Sequence, residues 1–448
     1  MIKFNPVTLG DKPLFDSYIL VGECRNCDLS FANIFCWQEF HHTMWAEVEG
    51  FLVIRFYPYG RVDAQSPVAY MQPVGEGDFT PILPLLAEDA ATQFGQPLLL
   101  YGLCREGRGM ITRSESLRFA FDDDRSLSDY IYLAEDLRNL AGRRYQPKRN
   151  HLNRFNAAYD YRFEPLTPRY FEECMALEAE WRALRESPTD TQSMRHEQRA
   201  MALAFAHWEE LGLQGGVILI ENRVVAFTYG SAITNDTFDC HVEKADTRYE
   251  GIFTAINHLF VESLPTSFTY VNREEDMGLQ GLRRSKLSYY PTLLWPKTTG
   301  RLLGAREVAC KRLWMEVFGD EEALVDQFLV RHYDPRYTLI RYAGEELQAM
   351  LHLIPFDTEW GRTAYLYAIA TEPRYRGRGL ASELVQEAIA LARSEDFDAV
   401  ALIPSSEELQ GFYHRFGFEG ATPMRFLKGD FDFGTGEESS DLAMHLIL

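Results

Sequence analysis

Several things are scarce in this 448-residue chain. No stretch is apolar for long enough to cross a membrane. The opening, MIKFNPVTLGDKPLFDSYIL, has no basic region followed by a long apolar run, so it does not read as a secretory signal. The seven cysteines are odd in number and scattered, which fits a reduced, cytoplasmic protein better than a disulfide framework. Positive charge is in deficit, with 45 Lys and Arg against 66 Asp and Glu and a formal charge of −21. That balance opposes long-range attraction of nucleic acid, so no DNA partner is expected, and with no span no integral membrane contact either. Two nucleotide signatures are missing, G-x-x-x-x-G-K-[ST] and a complete G-x-G-x-x-G. What remains is an ordinary globular composition, 46% hydrophobic, over a length that suits two to four domains.

One cysteine cluster has the right ligand types for zinc. Cys24 and Cys27 form C-x-x-C, with Cys36, His41 and His42 downstream. No second close pair stands at a zinc-site spacing, and Phe31, Ile34, Phe35 and Trp37 read as core neighbours. No metal is expected.

A hairpin theme occurs three times, at residues 50–75, 215–233 and 337–356. Each has an apolar or alternating strand, a polar turn and a second strand. Helix-rich stretches precede the last two copies. Before the third, Val308, Leu313, Trp314 and Val317, then Leu324, Phe328 and Leu329, recur at helical spacing. The fold class is α/β or α+β, with mixed, mostly antiparallel sheets flanked by helices. Three similar units are expected, with boundaries near 160 and 298. Residues 295–306, with Pro296, Gly300 and Gly304, read as a linker.

The third unit carries the sharpest signal. An apolar strand at 364–370 runs into Pro373. Arg374, Arg376, Gly377, Arg378 and Gly379 follow, and then a helix whose buried face is marked by Leu380, Leu384, Val385, Ala388 and Leu391. Glycines let backbone N–H groups approach an oxyanion, the helix start adds unpaired donors, and the arginines add charge. Such a loop suits a pyrophosphate.

Downstream, a strand at 399–403 leads to GFYHRFGF, residues 411–418. Here the chain resembles the GNAT acyl-CoA N-acyltransferase superfamily, over roughly residues 301–448. Arg374-x-x-Gly377-x-Gly379 matches the superfamily's pyrophosphate signature, and Phe412-Tyr413-x-x-Phe416-Gly417-Phe418 resembles its aromatic ending. The resemblance implies acetyl-CoA as cofactor. Backbone groups of Ile369, Ala370 and Thr371 would take the pantetheine arm, and Arg374 through Gly379, with Leu380 and Ala381, the pyrophosphate. Tyr413 would protonate the departing thiolate, although the same ring also suits simple packing beside Phe412 and Phe416. Two departures stand out: Ser406 occupies the usual Asn position, as a remaining cofactor contact, and Leu409 that of a small residue. No motif assigns a general base. Glu372 is a candidate, with a turn role and a water relay as the alternatives.

Residues 1–297 carry a second resemblance, on FDCHVEKADTRYEGIFTAINHLF (238–260), FTYVNREEDMGLQGLRRSKLSYYP (268–291) and YLAEDLRNLAGRRYQPKRNHLNRF (132–155). These are similar to the C-terminal synthase domain of phosphatidylglycerol lysyltransferases and its soluble, uncharacterised bacterial relatives. The resemblance implies two GNAT-like halves, about 1–160 and 161–297, ahead of a GNAT domain at 298–448. Candidate second-site residues are Asn272, Arg273, Glu274, Glu275 and Asp276, with Arg283 and Lys286, and His241, Glu243 and Lys244 on a preceding strand. Strict alternation puts His241 and Glu243 on one face and Lys244 on the other. Carboxylates suit an ammonium and the basic residues a phosphate, while a solvated, salt-bridged loop is the plainer alternative.

The expected function is acetyl-CoA-dependent N-acetylation of a small-molecule or peptide amine by the third unit. Two alternatives concern residues 1–297: aminoacyl transfer from aminoacyl-tRNA, or a non-catalytic binding module. For tRNA, residues 138–154 and 283–312 offer basic patches.

Overall fold

The computed structural model describes residues 2–63, 66–114, 116–183, 191–423, 426–428 and 442–448. The chain forms two compact units, Met1–Glu115 with Asp123–Gly300, and Ser116–Asp122 with Arg301–Leu448. It contains three mixed, mostly antiparallel sheets with flanking helices, the class expected from the recurring hairpins.

In the first unit, β1 (Asn5–Pro6), β2 (Met44–Val48), β3 (Phe51–Phe56), β4 (Ala69–Met71) and β5 (Leu99–Leu103) lie side by side in chain order. The pairings are antiparallel until β5 joins β4 in parallel. The second sheet uses β6 (Asp129–Leu133), β7 (Tyr161–Pro165), β8 (Gln214–Ile220), β9 (Arg223–Thr234), β10 (Thr237–Ala245), β11 (Tyr270–Asn272) and β12 (Leu293–Trp295). Their order is β12-β6-β11-β10-β9-β8-β7, with β10 and β11 parallel. The β8–β9 hairpin follows from a β-branched run broken at Glu221 and Asn222. Both residues have positive φ (52° and 62°), the turn whose twist matches paired strands.

Cross-strand register in this sheet sets out a polar row. Ser231 of β9 lies opposite Asp239 of β10, Asp239 beside Asn272 of β11, and Asn272 opposite Ile131 of β6. Gly230 permits the close approach, because a Cβ there would stand 1.8 Å from the Asp239 carbonyl oxygen. The helix Ile252–Ser263 closes one face with Ile252, Ala255, Ile256 and Phe260.

In the second unit, β13 (Thr338–Ala343), β14 (Glu346–Thr358), β15 (Gly361–Thr371), β16 (Ala399–Leu402), β17 (Glu419–Pro423), β18 (Phe426–Lys428) and β19 (Leu442–Ile447) form the third sheet. The order is β13-β14-β15-β16-β19-β17, with β18 on β14. Both faces are covered, and β14 shows how. Met350 and Ile354 pack with Trp314, Phe328 and Leu329 of the preceding helices. Leu351 and Leu353 point the other way, onto Leu384, Val385 and Ala388 of the helix Leu380–Ser394.

Two features depart from the sequence reading. Residues 295–306 are no exposed linker: Thr298–Leu302 is a strand, and Lys297 and Thr298 are buried. The second unit also takes in Ser116–Asp122. Asp122 accepts two hydrogen bonds from Arg331 (2.5 and 2.9 Å), and the Phe121 N–H donates to Asp326 (3.3 Å). No sequence signal marks that segment.

Candidate functional site

In the second unit, β15 pairs in parallel with β16 only at Thr363, Ala364 and Tyr365, so past Tyr365 the two strands part. On its other side the register with β14 skips Ala368 and Ile369, and Ala368 takes a positive φ of 47°. This bulge turns the backbone around Ile369 out of regular pairing, at the place where the two strands separate.

Thr371 ends the strand and the 3-10 turn Pro373–Tyr375 follows. Gly377 (φ 76°) and Gly379 (φ 86°) then lead into the helix Leu380–Ser394. A Cβ at either glycine would meet nothing within 4 Å, so the loop curves around open space at a helix N-terminus. The arginines form its rim, each tied to the loop itself. Arg374 bonds Glu372 (2.7 Å) and Glu346, Arg376 the Thr371 carbonyl (3.2 Å), and Arg378 the Arg374 carbonyl (3.3 Å). The Arg374 side chain still keeps 70% of its surface in solvent. Open glycines, helix-start donors and a basic rim fit a diphosphate.

Tyr413 is buried, its ring edge-on to Phe412 and Phe418, and burial pushes its hydroxyl up to about 12. Packing and a protonated hydroxyl are compatible here, since burial only strengthens the phenol's hold on its proton. Ser406 is the exposed N-cap of the helix Glu407–His414. Glu372 is buried and accepts from the Arg374 backbone N–H (3.1 Å) and side chain, so its carboxylate is engaged in shaping the turn.

The first unit holds a cavity of about 1190 Å³. His241, Glu243, Lys244, Arg273, Glu274, Glu275 and Lys286 all line it. The alternation expected for β10 does not hold, because a register shift removes His241 from the ladder. Lys244 reaches the wall beside Glu197 (2.9 Å) and over the Trp181 ring (3.9 Å). Arg273 pairs with Glu243 (2.9 Å), and Lys286 donates to the Arg273 and Glu274 carbonyls. Asn272, Asp276 and Arg283 stand behind the wall as supports. Asn272 donates to Asp129 (2.9 Å) and accepts from the Glu274 N–H (2.7 Å). Asp276 is fully buried among Arg283, Arg125 and Tyr130. Although burial raises it, those hydrogen bonds hold its carboxyl well below the usual range.

At one end of the cavity lies a knot of charge built largely from residues the sequence reading missed. The Lys297 ammonium touches Asp129 (2.9 Å), Glu275 (3.1 Å) and Asp28 (3.2 Å), and lies 3.4 Å from the Cys27 sulfur. Burial raises Asp129 to about 6 even against Lys297, while those carboxylates overcome burial and hold Lys297 well above an ordinary lysine. Burial and Asp129 push the Cys27 thiol well up. Beyond Cys27 lie Asp239, Glu274 and His241. His241 Nδ1 stands 3.2 Å from Asp239 and 3.5 Å from Glu274, and Nε2 2.8 Å from the Ser231 hydroxyl. Burial disfavours the charged ring, but the two carboxylates outweigh it and bring His241 up to about 9. Burial and Asp239 raise Glu274 to about 7. Ser231, His241 and Asp239 have the order of a nucleophilic relay, but Ser231 does not line the cavity. Cys24, Cys36, His41 and His42 join none of the possible ligand groups among the described residues. The signal for Asp239 was available, as a carboxylate inside the apolar run TFDCHV.

The basic stretch 138–154 is largely engaged within the unit. Arg138 and Arg149 hold backbone carbonyls, and Arg144 and Arg154 pair with Asp136 and Glu250. Lys148 sits over the Tyr289 ring, where burial lowers it to about 8.

Residues 22–297 match the family described as phosphatidylglycerol lysyltransferase, C-terminal. The chain belongs to this phosphatidylglycerol lysyltransferase C-terminal family. Residues 305–418 of this family member match a second family, the acetyltransferase (GNAT) family, so a GNAT acyltransferase domain stands at its C-terminal end. A conserved protein of unknown function from Bacteroides thetaiotaomicron VPI-5482 is 40% identical, with a TM-score of 0.64 over 68% of this chain and 100% of its own. L-PGS from Bacillus licheniformis is 13% identical, with a TM-score of 0.48 over 67% of this chain and 93% of its own. An uncharacterized N-acetyltransferase, YesJ of Bacillus subtilis (strain 168), is 31% identical over 87 residues, 17% of this chain. The chain spans about half (48%) of the length of that curated relative. Among the described residues, no helix is long and apolar enough to cross a membrane.

Proposed function

We propose that the second unit is an acetyl-CoA-dependent N-acetyltransferase acting on a small-molecule or peptide amine. The observation that carries this reading is the hollow at Gly377 and Gly379, open where a Cβ would lie and bordered by a helix start and arginines. The main-chain N–H groups from Gly377 to Ala381, with Arg376 and Arg378 beside them, would hold the diphosphate. Main-chain groups of Ile369, Ala370 and Thr371, on the stretch of β15 that has left β16, would hold the extended arm. Acetyl-CoA supplies the acetyl group as an activated thioester. Donors fixed on the bulge suit an oxygen that gains negative charge. Tyr413, protonated up to about pH 12, holds the proton a leaving thiolate needs. Ser406, at its helix start, stays a cofactor contact. Glu372, engaged in the turn, is less suited to deprotonate the amine than a water is.

Calorimetry tests the reading. Acetyl-CoA is expected to bind the full chain one to one, and Gly377→Trp to abolish the heat while the far-ultraviolet spectrum stays unchanged. Equal binding by the variant, or none by the wild type, overturns it.

A second reading concerns residues 1–297, and the large cavity favours it. Glu243, Glu274 and Glu275 on its wall suit the ammonium of an aminoacyl group, and a lysyltransferase is what the family description names. The engaged arginines at 138–154 leave the exposed Arg284 as the better probe of a tRNA contact. Release of labelled amino acid from charged tRNA, reduced in Arg284→Glu, is the expected result. No release from any charged tRNA would leave these residues as a binding module.

A further inference from the structure

The charge knot in the first unit has an uneven distribution of cations. Five carboxylates, Asp28, Asp129, Asp239, Glu274 and Glu275, surround Cys27, against Lys297 and His241. Two groups of three possible ligands share the Cys27 sulfur, each with its donor atoms within 4.8 Å of one another. The group Cys27, Asp28 and Glu275 is already served, since the Lys297 ammonium lies 3.1–3.4 Å from an atom of each. That ammonium shows what this end of the cavity demands, a cation.

The group Cys27, Asp239 and Glu274 has no ammonium. Its cation is the His241 imidazole, set against the outer side of the two carboxylates, with Asn33 donating to Glu274 (3.1 Å). Asp239 is fully buried, and neither of its carboxylate oxygens has a hydrogen-bond partner. The His241 ring, 3.2 Å from Asp239 and 3.5 Å from Glu274, is one cation shared by two buried carboxylates, which leaves the pair short of positive charge. The strand row places it there: Asp239 lies between Ser231 and Asn272 in the sheet, and Glu274 follows two residues after Asn272 with a positive φ of 57°. The chain therefore holds two oxygens and a sulfur converging on one point beside the cavity.

We propose that Cys27, Asp239 and Glu274 bind a thiophilic divalent cation of the zinc class. One thiolate with two carboxylates is a donor set such ions accept, and three protein donors leave a position facing the cavity for water or a ligand. Separations within 4.8 Å need to close by about an ångström to reach the spacing set by bonds of about 2.0–2.3 Å. His241, fixed through Nε2 by Ser231, would orient both carboxylates from behind, as outer residues do around bound metals. On binding, the Cys27 S–H bond breaks, its proton passes to solvent, and a sulfur–metal bond forms, with no change of oxidation state. Lys297 remains on its own carboxylates. This site goes beyond both functional readings and rests on neither, and it claims Glu274 from the carboxylates that the second offers to an ammonium.

Cobalt(II) is the probe, added to full-length protein stripped with a chelator and dialysed. One equivalent is expected to give the near-ultraviolet charge-transfer band of a cobalt–thiolate bond. Cys27→Ser should remove that band, Asp239→Asn should weaken binding at least tenfold, and Cys36→Ser should leave both unchanged. Zinc should displace the cobalt and raise the melting temperature. Absence of the band in the wild type, or its survival in Cys27→Ser, overturns the proposal. If a diamine such as cadaverine raises the melting temperature and neither metal binds, the missing cation is an organic ammonium and the proposal fails. Should Cys27→Ser not fold, the Asp239→Asn titration decides alone, with unchanged cobalt affinity as the overturning result.

Discussion

The two sites handle charge in opposite ways. Around Gly377 the charged groups are displayed: the arginines keep to the rim and the glycines leave open space. Around Cys27 they are enclosed, with Lys297 and Asp129 removed from water and bound to each other. Displayed charge contributes little to stability and remains available to a ligand. Enclosed charge must be matched group by group, and each unmatched group signals either a cost or a missing partner. A loop of the first kind can be built from six consecutive residues. A knot of the second kind draws on Cys27, Asp129, Asp239, Glu274 and Lys297, distributed over most of a unit.

Substitutions at the two places should separate accordingly. The largest effect is expected at the enclosed end. Lys297→Met leaves Asp129 and Glu275 unmatched and should destabilise the first unit by about 3–5 kcal/mol, read by denaturant unfolding. An unchanged midpoint would mean that the knot is solvated and the contrast between the units is wrong. Next, Tyr413→Phe should lower kcat roughly 100-fold with little change in acetyl-CoA affinity. Because burial holds this hydroxyl up to about 12, it stays protonated and the wild-type rate should not fall between pH 8 and 10 through its loss.

A smaller effect concerns acid. Burial lowers His352 to about 3 and His332 to about 4, below the ordinary 6.5. A depressed pKa means that the folded state resists protonation. The stability is therefore complete above pH 6.5 and is lost as pH falls from there toward 4 and then 3. Hydrogen exchange should show the second unit loosening across that window, with a flatter response in His352→Phe. The smallest effect is expected at the displayed rim. Arg374→Gln should weaken acetyl-CoA binding by about tenfold at most, with a shallower salt dependence, and should leave the melting temperature unchanged.

What was legible in the sequence follows the same division. The cradle could be read because its chemistry is consecutive: strand, glycines, arginines and helix occupy neighbouring positions. The hairpins could be read because alternation and turn residues are local, as Glu221 and Asn222 show. Half of the cavity wall is visible in the sequence, since His241, Glu243 and residues 273–275 cluster along the chain. A lysine beside Pro296 and Gly300 looks solvated in sequence, so Lys297 falls within an apparent linker. Only three-dimensional packing brings it to Asp129 and Asp28. Cys27 reads naturally with its sequence neighbours Cys24 and Cys36, whereas the fold sets Asp129, Glu275 and Lys297, 102 to 270 residues away, against its sulfur.

The segment Ser116–Asp122 bears on how this chain is made. Asp122 meets Arg331 only after 209 further residues have been added. At ribosomal speeds of roughly 5–20 residues per second, that is a delay of about 10–40 seconds. Throughout it the strand Phe119–Asp122, already synthesised, has no finished unit to join. Until Thr298–Leu302 is made this strand lacks its sheet partner, and Phe119 and Phe121 are where a chaperone would have most to protect.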